Sequence, residues 1–335
     1  MPESKVIAIG ASAGGIEALR VVLAALPRAL PAAVLIVQHL SPQSPGFLPK
    51  ILERGSTMPV ASPVDGEKMR PGRVYVAPPD RHLLVEDGGV ARLSSGPREN
   101  RFRPAVDPLF RSAALAFGPR VIGVVLTGFL DDGAAGLQAI KLCGGLAVVQ
   151  DPSEAWAASM PASALAHVDV DVDVCLPLRE IGPRLIELAQ QPAGAAPGGE
   201  RSALIAEAAF AGGHPPPLEE ALALGEPTLL TCPECGGGLM RLRGAAPTRY
   251  RCHTGHAFTE RALFANLAEN TESAVWSAIR ALREQAMLAR RPAREAAARG
   301  DREGADHLEK KAADCRALAD RMRATQCNLA VDGSA

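Results

Sequence analysis

The chain has 335 residues, 47% of them apolar, and a formal net charge of -1 at pH 7. That length allows a full-sized core with smaller additions, and the near-zero charge argues against nucleic acid or an anionic membrane surface as partner. No segment reaches the roughly 18 clean apolar residues of a membrane span and no N-terminal stretch has signal-peptide form, so membrane insertion is not expected and the expected location is the cytoplasm.

Residues 1–190 read as one α/β unit. Val6–Ile9 is a short apolar strand, Ile16–Leu26 has helical spacing that stops at Pro27, and Ala33–Val37 and Val74–Ala77 are further strands. HLLVEDGGVARLS reads as a hairpin turning at Asp87-Gly88-Gly89, either an insertion or an antiparallel edge. Arg103–Phe117 is expected as a helix with Pro104 in its first turn. Val121–Leu126 is the continuous apolar run of a buried parallel strand, followed by a helix over Gly136–Leu142 and a strand over Leu146–Gln150. The alternation predicts a doubly wound, mostly parallel, Rossmann-like sheet in three layers with a β-hairpin insertion. Residues 191–227 look like a linker, broken by QQPAGAAPGGE and GGHPPP around a short helix at Ala203–Phe210. Residues 228–262 form a compact Cys/His segment. Residues 263–325 read as a helical hairpin or coiled-coil-like tail, broken only near Pro292 and two glycines, with a solvated rather than partner-binding face.

Gly10-Ala11-Ser12-Ala13-Gly14 falls between the first strand and the first helix, where a nucleophile elbow needs strand, tight turn and helix. Free N–H groups at the helix start could hold an oxyanion. Two other readings compete. A dinucleotide loop would want glycine at Ser12 and an acid at the tip of the second strand, which instead ends Gln38-His39; Ser12 could also simply cap the helix. His39 follows the second strand, and strand tips of a parallel sheet line one crevice. After the strongest strand comes Asp131-Asp132, one of which could orient a base histidine while the other caps the helix near Ala134. The chain order is Ser, His, Asp, unlike the Ser, Asp, His order of α/β-hydrolases.

Further motifs extend this pattern: GASAGG at 10–15, QHL at 38–40, YVAPPDRHL at 75–83, RPAVDPLFRSAA at 103–114, GVVLTG at 123–128, DDGAAG at 131–136, VVQDPSEA at 148–155 and MP at 160–161. Together they resemble the catalytic domain of the chemotaxis protein-glutamate methylesterases, the CheB family. The resemblance implies a doubly wound sheet with an added hairpin, Ser12 as nucleophile, His39 as base and Asp132, directly before Gly133, as the group that orients it. It implies hydrolysis of glutamate methyl esters on receptor signalling helices, deamidation of receptor glutamines as a second activity, methyl-accepting chemotaxis receptors or related signalling proteins as partners, and no cofactor for catalysis. The family's TGMGxDG loop reads TGFLDDG here, so Phe129 and Leu130 replace a methionine bordering the cleft and a glycine. A receiver domain often precedes the family's catalytic domain and is expected to be missing here. The alternative reading is a CheB-like signalling scaffold or sensor subunit that keeps the fold without turnover. Arg81, His82, Arg103 and Met160 fall in the shared motifs, either shaping the cleft or serving as surface and packing residues.

Of seven cysteines, Cys143 and Cys175 sit among apolar residues and read as small core residues. Cys232 and Cys235 form C-x₂-C beside glycines, and Cys252 follows a 16-residue spacer. A tight turn can aim thiolates at i and i+3 toward one ion, and His253 or His256 would be the fourth ligand. RCxxGHAF resembles a C-terminal pattern that follows stand-alone members of the methylesterase family, and this resemblance favours His256. A structural zinc on Cys232, Cys235, Cys252 and His256 is expected, in a zinc-ribbon-like segment.

Overall fold

In this computed structural model the described residues are 4–167, 173–199 and 201–331, with side chains to 325. The expectations for 1–190 and 191–227 therefore include residues (1–3, 168–172 and Glu200) that lie outside the description.

Lys5–Ala11 (β1) is buried along its whole length, because helices cover both faces of the sheet. The chain turns into Gly15–Ala25 (α1), returns as Ala32–Gln38 (β2), and passes through Leu48–Glu53 (α2), Val60–Ala61 (β3) and Glu67–Lys68 (β4) to Val74–Val76 (β5). His82–Glu86 (β6) and Val90–Ser94 (β7) form the expected hairpin across Asp87-Gly88-Gly89. It joins β4 in a three-stranded sheet of its own and so is not an edge of the main sheet. Val106–Phe117 (α3), Val121–Val125 (β8), Ala134–Leu142 (α4), Leu146–Gln150 (β9), Ser159–His167 (α5), Val174–Leu176 (β10) and Leu178–Gln190 (α6) complete the α/β part. Helix α3 starts after the extended Ala105, so Pro104 precedes it and does not occupy its first turn.

The main sheet has seven strands in the order β10-β9-β8-β1-β2-β5-β3, and every pairing is parallel. The period-two alternation of β1 divides the core. Val6 and Ala8 pack with Leu109, Phe110, Leu137 and Met160 on one face, whereas Ile7 and Ile9 pack with Leu19, Val22, Ile181 and Leu185 on the other. The result is three layers. The order reverses at β1, which has β2 on one side and β8 on the other, so the crevice beyond their carboxyl ends is the topological switch point.

The 191–227 stretch is more than a connector. It holds Ser202–Gly212 (α7), which buries Glu207, Phe210 and Ala211, and Leu218–Ala223 (α8). Gly225–Thr231 (β11), Gly238–Leu242 (β12), Arg249–Cys252 (β13) and Ala257–Thr259 (β14) form a four-stranded antiparallel sheet in sequence order. Cys143 is buried as expected, but Cys175 is exposed. The described residues up to Leu263 form one unit and those from Phe264 a second. The C-terminal region, expected as a helical hairpin or coiled-coil-like tail, has the long helix Glu260–Leu288 (α9), then Arg290–Ala298 (α10) and Arg302–Val331 (α11). Within the second unit most buried positions are small (Ala286, Ala293, Ala296, Ala305, Ala312 and Ala319, with Ile279 and Asn266 also buried), which lets the helices approach closely.

Candidate active site and cysteine–histidine cluster

The turn after β1 leaves Ser12 without a role in capping. The residue preceding α1 is Gly14, at φ 74° and without a side-chain cap bond, a backbone shape that a Cβ would resist. Ser12 N–H donates to Thr127 O (2.9 Å), and the Thr127 hydroxyl donates to Ala13 O (2.9 Å), so the loops after β1 and β8 are stitched together. Gln38 Nε2 donates to Ser12 O (2.8 Å) from the tip of β2.

His39 lies between Ser12 and Asp132. Its Nδ1 is 3.2 Å from Ser12 Oγ, and its Nε2 is 2.7 Å from Asp132 Oδ2. The neutral ring then carries its proton on Nε2, donated to the carboxylate, and accepts the serine hydroxyl at Nδ1. Phe102 stacks on the imidazole at 3.7 Å and 10°, fixing its plane. Nothing in the sequence pattern had marked Phe102.

Asp132 is held by the start of α3. Its carboxylate accepts from Val106 N–H (2.7 Å), Asp107 N–H (3.1 Å) and Asn100 Nδ2 (2.9 Å). Asp107 in turn accepts from Gly133 N–H (3.0 Å) and Gly136 N–H (2.7 Å), so the two helices exchange capping aspartates. Burial alone would raise the Asp132 carboxyl, but the hydrogen bond and charge of His39 and the Val106 and Asn100 donors bring it below its ordinary value. Burial, then the neighbouring Asp132 charge, pushes Asp107 up to about 8. The two shifts run in opposite directions, so of the pair Asp132, facing His39, is the one whose surroundings favour the charged form. Asp131 neither caps α4 nor faces solvent, contrary to its expected role. It is 1% exposed and accepts the Thr259 hydroxyl at 2.6 Å.

Ser12 and His39 open into a cavity of about 390 Å³ whose lining includes Arg98, Arg101 and Arg103. Gly128 N–H is committed to Ala157 O (3.0 Å), whereas Ala13 N–H has no acceptor among the described residues. Phe129 is 57% exposed, packs edge-on to Trp156 at 5.8 Å and does not line the cavity. Leu130 has φ 63°, a conformation that costs a branched side chain and that the glycine of the resembling motif would adopt freely. Arg103 is a clamp on Asp80 (2.8 Å) and on the Ser95 and Gly96 carbonyls. His82 is fully buried, bonded to Pro97 O (3.0 Å), and burial holds it below its ordinary value. Met160 is a packing residue beneath Gly128 and is absent from the cavity lining. Arg81 is exposed.

The second constellation is local. The turn between β11 and β12 carries Cys232 and Cys235; Cys252 ends β13, and His256 lies in the turn that leads to β14. One ligand atom from each of the four lies within 4.8 Å of all the others. The Cys235 and Cys252 sulfurs are 3.8 Å apart, and Cys252 Sγ is 3.6 Å from His256 Nδ1. A tetrahedral zinc about 2.3 Å from sulfur and 2.0 Å from nitrogen sets these spacings at roughly 3.8 and 3.5 Å. The donor set therefore fits such an ion. His253 packs instead against Gly237. Burial pushes the Cys232 thiol up to about 12; it would raise Cys252 too, but the His256 and Thr254 hydrogen bonds bring that thiol down to about 5. Burial would raise Cys235 as well, but its hydrogen bonds to Thr254, Gly237 and His256 lower it, and a bound cation would favour all three thiolates.

An all-parallel, doubly wound sheet with serine, histidine and carboxylate hydrogen-bonded in series at its switch point defines a class, the α/β proteins with a serine-hydrolase constellation. A family model described as CheB methylesterase matches residues 7–185. The chain belongs to the CheB methylesterase family, and its membership supports hydrolase chemistry of the methylesterase/glutaminase type. A Leptospira interrogans protein (serovar copenhageni), provisionally named protein-glutamate methylesterase/protein-glutamine glutaminase, is 43% identical over 184 residues, covering 55% of this chain and 94% of its own. A Xanthomonas campestris pv. campestris protein-glutamate methylesterase/protein-glutamine glutaminase is 42% identical over 190 residues, 56% of this chain but only 52% of its own length. The crystal structure of the Thermotoga maritima CheB methylesterase catalytic domain, at 34% identity, superposes with a TM-score of 0.53, covering 55% of this chain and 98% of that one. No helix among the described residues is long and apolar enough to cross a membrane.

Proposed function

We propose that the chain is a protein-glutamate methylesterase acting on methylated glutamates of chemoreceptor signalling helices, with deamidation of receptor glutamines as a second activity. The carrying observation is the placement of His39, 3.2 Å from Ser12 Oγ and 2.7 Å from Asp132 Oδ2. Ser12 Oγ attacks the ester carbonyl carbon while His39 Nδ1 takes its proton. Ala13 N–H faces the developing oxyanion. Collapse of the tetrahedral intermediate breaks the C–O bond, and the proton held by His39 passes to the departing methoxide to give methanol. Water then attacks the acyl-serine, with His39 again taking the proton, and glutamate and free Ser12 are regenerated. Asp132 keeps the imidazole in the required tautomer and balances its charge during both steps. Arg98 and Arg101 beside the cavity would add positive potential toward acidic receptor segments, whereas Arg103 is taken up by Asp80 and two carbonyls and shapes the wall. Methyl-accepting receptors or related signalling proteins are the partners this reading implies, and no cofactor enters the ester chemistry.

Cys232, Cys235, Cys252 and His256 would hold a structural zinc closing a zinc-ribbon-like sheet. Four protein ligands would leave it no open position for water, so its part is to hold the two turns together. Residues 1–190 then supply the catalytic part, 191–227 a joining stretch that also packs through α7, 228–262 the ribbon and 263–325 a helical tail.

Methanol release from methylated receptor fragments tests the reading. The Ser12→Ala variant should lose at least about 10⁴-fold in rate. Equal release by both proteins would remove Ser12 from its role, and no release by either would favour a scaffold. Zinc should co-purify at about one equivalent, and a Cys232→Ser/Cys235→Ser variant should lose it. Full retention by that variant would place the ion elsewhere.

A further inference from the structure

The loop carrying Asp131 and Asp132 has a back wall, and that wall comes from the cysteine–histidine sheet. Thr259, the last residue of β14, has 0% exposure. Its hydroxyl donates to Asp131 Oδ1 at 2.6 Å, and its N–H donates to Asn100 Oδ1 at 2.9 Å. Asn100 Nδ2 then donates to Asp132 Oδ1 (2.9 Å) and to Asp107 Oδ2 (2.8 Å). The strand is also bonded along its backbone: Asn100 N–H donates to Ala257 O (2.8 Å), and Ala257 N–H donates to Arg98 O (3.3 Å). Below it, Arg251 of β13 is fully buried against Glu99 (3.1 Å) and Glu207 (3.2 Å), while Glu99 also holds Arg111 of α3 (2.7 Å). Asn100 thus sits between Thr259 and the carboxylate that faces His39. It does so at φ 50°, a backbone shape that asparagine tolerates better than most residues. Every group in the chain of bonds is buried, so a donor lost there is not replaced by bulk water.

We infer that β14 is part of the active site: Thr259 is a positioning residue that acts through Asn100 and Asp131 on Asp132, and the Cys/His cluster, by fixing β14, sets how well Asp132 is held. This rests on the reading of Ser12, His39 and Asp132 as the hydrolytic trio. The family match ends at residue 185, so Thr259 lies beyond the part that defines the family. His256 is separated from Thr259 only by Ala257 and Phe258, both buried, so a change at the cluster has a short, stiff path to the aspartate loop.

The test uses the full chain. Thr259→Val keeps the shape and removes the hydroxyl donor; Thr259→Ser restores the donor. With methylated receptor fragments, kcat of Thr259→Val should fall about tenfold with KM little changed, the loss expected for one buried donor to a carboxylate, and Thr259→Ser should recover most of it. Near-ultraviolet circular dichroism checks that both variants are folded. Hydrogen–deuterium exchange gives a readout independent of activity: removal of zinc with a chelator should speed exchange across residues 98–102 and 257–260 while leaving β1 and β8 protected. If the wild type releases methanol and Thr259→Val matches it, or Thr259→Ser fails to rescue, the inference is overturned while the hydrolase reading stands. If neither the wild type nor Ser12→Ala releases methanol, the hydrolase reading fails instead. In that case exchange at 98–102 unaltered by the chelator overturns the coupling as well.

Discussion

The serine site and the cysteine–histidine cluster are built in opposite ways. Ser12, His39 and Asp132 come from the tips of β1, β2 and the loop after β8, and only a completed parallel sheet brings them within 3.2 Å of one another along the hydrogen-bonded series. The four Cys/His side chains come from two turns of one small antiparallel sheet. The first site draws its precision from a large two-sided core that fixes each strand tip. The second gathers two sulfurs at 3.8 Å within one small sheet, a donor set that would suit a cation. A site assembled at long range can leave one side open to a cavity, as Ser12 does, whereas a locally assembled one closes on itself.

The contrast is tested most severely at the aspartates. Asp132→Asn should lower kcat roughly 10³–10⁴-fold, because an amide can present N–H to His39 and reverse its tautomer. Asp131→Asn, which can still accept from Thr259, should cost about tenfold or less. Steady-state kinetics on the two variants check this, and equal losses would remove Asp132 from its special place. The joint between the two constructions is the buried Arg251. Replacing it with methionine strips a cation from Glu99 and Glu207 and should cost about 3 kcal/mol, read as a lower urea midpoint. An unchanged midpoint would mean the small sheet is held by something other than this ion cluster.

Phe102→Ala removes the ring stacked 3.7 Å from His39 and should reduce kcat/KM about fivefold, a loss of roughly 1 kcal/mol. A variant as active as the parent would show that the two hydrogen bonds alone fix the imidazole. The last expected effect appears only as a pH slope. Asp107 is raised to about 8, so the folded protein keeps a proton that the unfolded chain gives up near pH 4. Its contribution to stability is fully present below the unfolded value and declines as pH rises from about 4 to about 8. Asp107→Asn, which cannot ionise, should therefore gain melting temperature relative to the wild type between pH 5 and pH 8.5, by a few degrees. A difference between the two proteins that does not change with pH would mean that Asp107 is ionised throughout.

The sequence by itself determined the parallel architecture, because runs such as Val121–Val125 have no polar alternation and can only lie between two covered faces. It also marked Ser12, His39 and the Asp131-Asp132 pair, since glycines and strand-end positions are local signals, and the C-x₂-C spacing marked the second cluster. Tertiary structure decided what no local pattern encodes. The family resemblance already implied Asp132 and His256; what the fold adds is the physical reason, pointing Asp132 at His39 and the start of α3 while turning Asp131 to Thr259, and setting His256 beside the sulfurs while His253 packs on Gly237. It made α7 a buried element of what had read as a linker, because Glu207 finds buried arginine partners in other segments of the chain. Asn100, Phe102 and Thr259 carry no signal in their own neighbourhoods. Their roles exist only where the folded chain brings residues 100, 132 and 259 together, and a hydrogen bond between residues that far apart in sequence is settled by packing rather than by spacing.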